Sequence, residues 1–198
     1  MRLLAIDTAT PRPSVAVLLD DAAPQTVELP RLGAEALAPA VAALLSSVGL
    51  VPADLDRIAV VSGPGSFTGL RSSLAFARGL ARAAGAVLVP VPTFEAASEA
   101  IPVPPDADFL LEALRGDVHR RRRRSGVLSP VEERLPRETA AIEADREGVP
   151  AIDVGSAALL LAPGAASLAR HAPEGEPGSL VYGRLPAAIE RFGPGEPE

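Results

Sequence analysis

Val60-Val61-Ser62-Gly63-Pro64-Gly65-Ser66-Phe67-Thr68-Gly69-Leu70-Arg71 is the stretch from which the rest of the chain can be read. It leaves a short apolar strand at 58–61, passes a turn dense in Gly and Pro, and enters an Ala- and Leu-rich helix over 68–84. Ser66 and Thr68 are both suited to cap that helix, since a side-chain oxygen there accepts from the free amides of the first turn. Gly63 and Gly65 supply backbone angles other residues resist, and Pro64 fixes one φ between them. A strand-to-helix turn of this kind is a natural anion cradle. The phosphate-binding P-loop pattern, however, needs a Lys, and the chain has none. The turn therefore reads as structural ahead of phosphate-binding.

Outward from that turn, 86–91 is an apolar strand, so strand, helix and strand form a βαβ unit with a right-handed crossover. Toward the N-terminus, 2–7 and 14–19 read as strands joined by a turn with two Pro, and 26–29 as a third, making an antiparallel meander. Residues 34–48 read as a helix with Leu37, Val41, Leu44, Leu45 and Val48 on one face and Ala on the others, Pro39 being tolerated if the helix starts near Leu37. The 68–84 helix carries one stripe of Leu70, Leu74, Ala77 and Ala81, and a second of Ser72, Phe76, Gly79 and Ala83. Helices apolar on two sides are covered on two sides. The second faces serve either the chain's own core or a partner, and both readings stand. Thr93 starts a short helix to Ala100, and the Pro-rich 101–105 marks a boundary. Beyond it, 108–114 and a partner from Val118 read as a hairpin, and 151–154 as a short strand. The hairpin partner runs into Arg120, Arg121, Arg122, Arg123 and Arg124. Five consecutive Arg leave no buried face, so the strand is expected to be short or a solvated edge. An apolar helical or irregular stretch follows Gly155, and 193–198 reads as a disordered tail.

Composition limits the function. The chain has 198 residues, 47% of them hydrophobic, but only 3% aromatic, so its core is built from Leu, Val and Ala. All 19 positive charges are Arg, and Asn is also absent, which a GC-rich genome explains without function. A net charge of −6 argues against a surface that grips nucleic acid as a whole. No Cys is present, which excludes disulfides and Cys-bearing metal sites. With no targeting segment and no apolar run long enough to span a bilayer, a cytoplasmic protein is expected.

Candidate sites are few. Asp7, followed by Thr8 and Thr10, ends the first strand in the manner of the first phosphate loop of the actin, Hsp70 and sugar-kinase superfamily, where an acid holds a hydrated metal and hydroxyls meet phosphate. The C-terminal half shows no second phosphate loop or adenosine motif to complete such a site. His119 and His171 are the only histidines and lie 52 residues apart, so no HxxxH or HExxH pair exists. With no Cys nucleophile and no G-x-S-x-G elbow, triad and zinc-peptidase readings fail. The run Arg120 to Arg124, with Arg115 near it, is a local basic patch able to contact RNA phosphates or to guard a solvated edge.

Gly63-Pro64-Gly65-Ser66-Phe67-Thr68-Gly69-Leu70-Arg71, together with Leu3-Leu4-Ala5-Ile6-Asp7-Thr8-Ala9-Thr10 and Val89-Pro90-Val91-Pro92-Thr93, resembles the TsaB (YeaZ) family. The helix Leu37-Ala38-Pro39-Ala40-Val41-Ala42-Ala43-Leu44-Leu45 is similar too. So are Glu112-Ala113-Leu114-Arg115-Gly116-Asp117-Val118-His119, which echoes a family Asp-Ala-Arg-x-x-Glu-Val-Tyr segment, and Leu180-Val181-Tyr182-Gly183-Arg184-Leu185-Pro186. The chain departs at Leu32-Gly33-Ala34-Glu35, where the family often has His-Ser-Glu.

The resemblance implies an α/β, actin-like fold of the Hsp70 type in two lobes: 1–100 with a mixed sheet and flanking helices, and a reduced 106–192. It implies a non-catalytic scaffold that dimerises with and activates the TsaD threonylcarbamoyl transferase, which makes N6-threonylcarbamoyladenosine in tRNA. TsaD keeps an HxxxH metal pair, and its absence here fits the partner, not the catalyst. The ATPase TsaE joins the assembly, tRNA is met only through the complex, and the subunit forms homodimers when alone. No cofactor or metal is expected, with Asp7, Thr8 and Thr10 as vestiges. The interface falls on the helices at 34–48 and 68–84, through Leu37, Ala40, Ala43, Leu44, Ser47, Ser72, Phe76, Gly79 and Ala83. The rivals are an ATP-binding enzyme of the same superfamily, a small kinase or the transferase itself, and an RNA-contact module built on the Arg run.

Overall fold

The computed structural model describes residues 1–20, 22–30, 36–100, 104–155 and 160–172. The sequence readings at 32–35, 101–103, 156–159 and from 173 onward, including the 180–186 motif and the 193–198 tail, lie outside the described residues. Five strands form the first sheet: β1 (Arg2–Asp7), β2 (Ser14–Leu19), β3 (Gln25–Glu28), β4 (Arg57–Val61) and β5 (Val87–Val91). Their order is β3-β2-β1-β4-β5. The β1–β2 and β2–β3 pairs are antiparallel, and β1–β4 and β4–β5 are parallel, so the meander and the βαβ unit share one sheet. Strands β1, β4 and β5 are apolar without alternation because helices cover both faces.

The pleat of β1 shows the division. Leu4 and Ile6 point to a core shared with α1 (Leu37–Ser47) and α2 (Phe67–Ala84). Leu3 and Ala5 point to the opposite core, shared with α3 (Thr93–Ala100) and α5 (Ala162–Arg170). The start of α1 at Leu37 puts Pro39 in the first turn, where its missing N–H costs nothing. Of the two capping candidates on α2, Ser66 does the work, accepting from the Gly69 N–H at 3.2 Å. The α2 stripe of Leu70, Leu74, Ala77 and Ala81 is buried as its spacing predicts.

The second sheet contains β6 (Ala107–Glu112), β7 (Asp117–Arg124), β8 (Val127–Pro136) and β9 (Ala151–Asp153), in the order β8-β7-β6-β9. Phe109 and Leu111 join the core of α3 and α5, so these two helices lie between the sheets. On the far face Leu110 and Val118 meet Ala140 of α4 (Arg137–Glu147). Helices α3 and α5 pack through small side chains. A Cβ on Gly164 would lie 2.0 Å from the Ala96 carbonyl oxygen, so the two backbones touch there.

The Arg run corrects its sequence reading. β7 is eight residues long and lies inside the sheet, neither short nor an edge. Arg120 is only 2% exposed. The run alternates between two helices: Arg120, Arg122 and Arg124 reach Glu143 and Glu147 of α4, while Arg121 pairs with Glu95 of α3. Arg123 donates to backbone carbonyls of Gly126 and Ser98. Both faces of a five-Arg strand can be covered when the covering helices bring the carboxylates, and that information lies outside the strand.

Candidate functional site

The N-terminal loop and the Gly-Pro turn are built against each other. At the end of β1, Asp7 is fully buried, accepting from the Ala9 N–H at 2.7 Å and the Thr10 hydroxyl at 2.6 Å. Burial without a nearby cation pushes its carboxyl up to about 6, against the opposing pull of those hydrogen bonds. The Thr8 hydroxyl donates to the Gly69 carbonyl at 2.7 Å, and the Ser66 N–H to the Ala9 carbonyl at 2.7 Å. The turn is held from its other side by α3, where Thr93 donates through its N–H to Gly63 and through its hydroxyl to Pro64.

Two glycines make that closeness possible. A Cβ on Gly65 would stand 2.4 Å from the Ala9 carbonyl oxygen, and one on Gly69 1.8 Å from that of Thr8. The Gly-rich turn therefore serves a backbone-to-backbone contact, as the structural reading of the sequence expects.

A cavity of about 440 Å³ opens beside this contact, between the Thr8 loop, the start of α2 and the end of β6 at Leu111 and Glu112. Glu112 is its only charged lining residue among those described; the rest are hydroxyl, Gly, Ala, Pro and Leu. A phosphate loop of the kind the sequence suggests at Asp7, Thr8 and Thr10 would need hydroxyls and a carboxylate free to face the cleft, and the residues here do not offer them. The Thr8 and Thr10 hydroxyls and both Asp7 oxygens are bonded within the protein, and the turn closes onto the Thr8 and Ala9 carbonyls. Among the described residues no Arg lines this cavity.

The residues expected at a partner surface differ in exposure. Leu37 and Leu44 are buried in the chain's own core, because the α1 stripe that holds them faces the sheet, so they leave the candidate surface. Ala43 and Ser47 on α1, and Gly79 and Ala83 on α2, are exposed; Ala40, Ser72 and Phe76 are half-buried. Phe67, which the sequence reading passed over, is exposed at the start of α2 with the Arg71 guanidinium 5.3 Å over its ring. Its place within the GPGSFTGLR string, one residue after the cap, was the available signal. His119 pairs with Glu132 on β8, and His171 ends α5, so the two histidines do not meet. Among the described residues no group of three metal-binding side chains forms, and no helix is long and apolar enough to cross a membrane.

Two sheets with helices between and outside them, the first ordered β3-β2-β1-β4-β5, define an actin-like α/β protein in two lobes. Two solved structures share the fold. YeaZ from Pseudomonas aeruginosa matches with a TM-score of 0.70 at 26% identity, over 86% of this chain and 91% of that one. A protein described by its similarity to peptidase YeaZ from the same organism matches with a TM-score of 0.71 at 27% identity, over 93% and 99%. In sequence, residues 29–118 match the family model of TsaD, tRNA N6-adenosine threonylcarbamoyltransferase. The tRNA threonylcarbamoyladenosine biosynthesis protein TsaB of Escherichia coli is 40% identical over 94 residues, 47% of this chain and 41% of that protein. TsaB of Bacillus subtilis is 37% identical over 83 residues, 41% of this chain and 36% of that protein. The matched region thus spans less than half the length of these relatives. Sequence and fold together support the TsaB/YeaZ family for this chain.

Proposed function

We propose that the chain is a non-catalytic scaffold subunit in the synthesis of N6-threonylcarbamoyladenosine on tRNA, binding and activating a TsaD-type transferase. The observation that carries the reading is the outer face of α1 and α2. Ala43, Ser47, Gly79 and Ala83 are exposed there, with Ser72 and Phe76 half-buried, leaving a surface of small side chains beside one aromatic ring. Small residues let another helix approach closely, and Phe76 offers it apolar area. The TsaB names of relatives and the match of 29–118 to the TsaD model support the same assignment. On this reading the complex works in the cytoplasm, a TsaE-type ATPase joins it, and tRNA contacts the transferase in place of this subunit. Alone, the chain pairs with itself through the same face.

An ATP-binding enzyme has less support, because Thr8, Thr10 and Asp7 spend their hydrogen bonds on one another and on Gly69. An RNA-contact role for Arg120 to Arg124 has less as well, since four of the five are ion-paired within the protein. Depleting the chain in its own organism and measuring the modified nucleoside in bulk tRNA tests the proposal. Loss of N6-threonylcarbamoyladenosine, restored by re-expression, is expected. An unchanged content would refute it.

A further inference from the structure

Helix α4 is attached to the second sheet in an unusual way. Only Ala140 and Ala144 of its eleven residues are buried, so it has almost no apolar face. Burial of two methyl groups stabilises a docked helix weakly, at about 0.8 kcal/mol per methylene-sized group. The remaining attachment is ionic. Glu143 lies 2.8 Å from Arg120 Nη1 and 2.9 Å from Arg122 Nη2. Glu147 lies 2.5 Å from Arg124 Nη2 and 3.5 Å from Arg122 Nη1. At the other end Arg137 bridges Glu112 and Asp153.

Part of the arginines' charge is met without α4. Arg120 also meets Asp108 and Glu133, Arg122 meets Glu133, and Arg124 meets Asp108. If α4 lifts, the three arginines share two carboxylates, Asp108 of β6 and Glu133 of β8, and the one charge in excess faces solvent on the side α4 has left. The closed arrangement is also imperfect: Arg120 Nη1 sits close to Glu143 but off the line of a hydrogen bond, and Arg122 Nε and Asp108 Oδ2 are buried without one. The helix follows β8 directly after Pro136, and Gly148, at φ +66°, ends it.

We propose that α4 is an electrostatic latch over the arginine strand, lifting as a unit when its carboxylates are screened and baring Arg122 and Arg124 to solvent anions. Local opening below the global unfolding barrier is expected of elements with few buried apolar contacts. What sets α4 apart is the ionic character of its attachment. Partly exposed pairs of this kind are worth a few tenths to about 1 kcal/mol each and weaken with salt. The screening length falls from about 10 Å at 0.1 M salt to about 3 Å at 1 M.

Hydrogen–deuterium exchange of the full chain, read by mass spectrometry in sodium chloride at those two concentrations, tests the latch, with α2 as the internal reference. Amides of 137–147 are expected to exchange roughly tenfold faster at high salt while those of α2 hold steady. Glu143→Gln with Glu147→Gln is expected to bring α4 to the fast rate already at low salt and to abolish the salt response. Glu147→Gln alone, where the double variant fails to fold, should give an intermediate rate. Exchange of α4 that tracks α2 at both salt concentrations, or that ignores salt, would overturn the proposal.

Discussion

Replacing Asp7 by Asn probes the contact on which the N-terminal lobe turns. Asp7 is fully buried, accepts two hydrogen bonds within its own loop, and has a carboxyl pushed up to about 6 by burial. An unfolded chain ionises this group near 4. Because the folded value is the higher one, the folded state holds the proton more tightly. Its stabilising share is complete below about 4 and is lost as pH rises through 6. The difference of about two pH units corresponds to roughly 3 kcal/mol, at about 1.4 kcal/mol per unit. Asn is neutral at every pH; its carbonyl can still accept from Ala9, and its amide can donate to the Thr10 oxygen. Allowing about 1 kcal/mol for the rearranged hydrogen bonds leaves a gain of about 2 kcal/mol above pH 7. For a chain of this size that is a rise in melting temperature of roughly 4–8 °C. Near pH 4 the gain should vanish or reverse. The assay is thermal unfolding of both proteins across pH 4 to 8, reading the difference between them so that the other carboxylates cancel. A pH-independent difference, or a variant less stable at pH 8, would refute the picture of a buried carboxylate without a counter-charge.

Three substitutions test packing elsewhere in the fold by denaturant unfolding. Gly69→Ala should destabilise by roughly 3 kcal/mol, the upper range for an overpacked site, because its Cβ would meet the Thr8 carbonyl 1.8 Å away. Gly79→Ala, on the same helix with nothing within 4 Å, should instead stabilise by about 0.5–1 kcal/mol. Arg120→Ala should cost about 2–5 kcal/mol, since it empties the space of a large side chain only 2% exposed and removes the partner of Glu133 and Glu143, while Asp108 keeps Arg124 at 2.8 Å.

The first lobe was legible because its signals are local. Strands buried on both faces show as unbroken apolar runs, and the α2 stripe of Leu70, Leu74, Ala77 and Ala81 has helical spacing. Strand β8 and helix α4 went unread for want of a comparable pattern. β8 is interrupted by Pro130 and mostly exposed, and α4 buries only two alanines. The arginine strand was misread for a different reason. Its burial rests on Glu95, Glu133, Glu143 and Glu147, which come from three other elements, and no window on the strand itself contains them. The candidate site divides the same way. The glycines of the turn announced a tight backbone approach, but their partner, the Thr8 loop, lies about sixty residues away in the chain. The α1 candidates were chosen as apolar without separating the sheet-facing side, which is why Leu37 and Leu44 proved to be core.

The central claim, a partner-binding face on α1 and α2, is tested most directly by size-exclusion chromatography with light scattering, on this chain mixed with the TsaD of its own organism. The wild type is run beside a variant carrying Ala43→Glu and Phe76→Arg. Ala43 is exposed, but Phe76 is half-buried against the core of α1 and α2, so Ala43→Glu alone is run as well, and binding is read only for variants whose circular dichroism and thermal melt match the wild type. The account predicts a complex of combined mass for the wild type and separate species for the variant. A wild type that elutes apart from TsaD, or a variant that binds as well as the wild type, would contradict it.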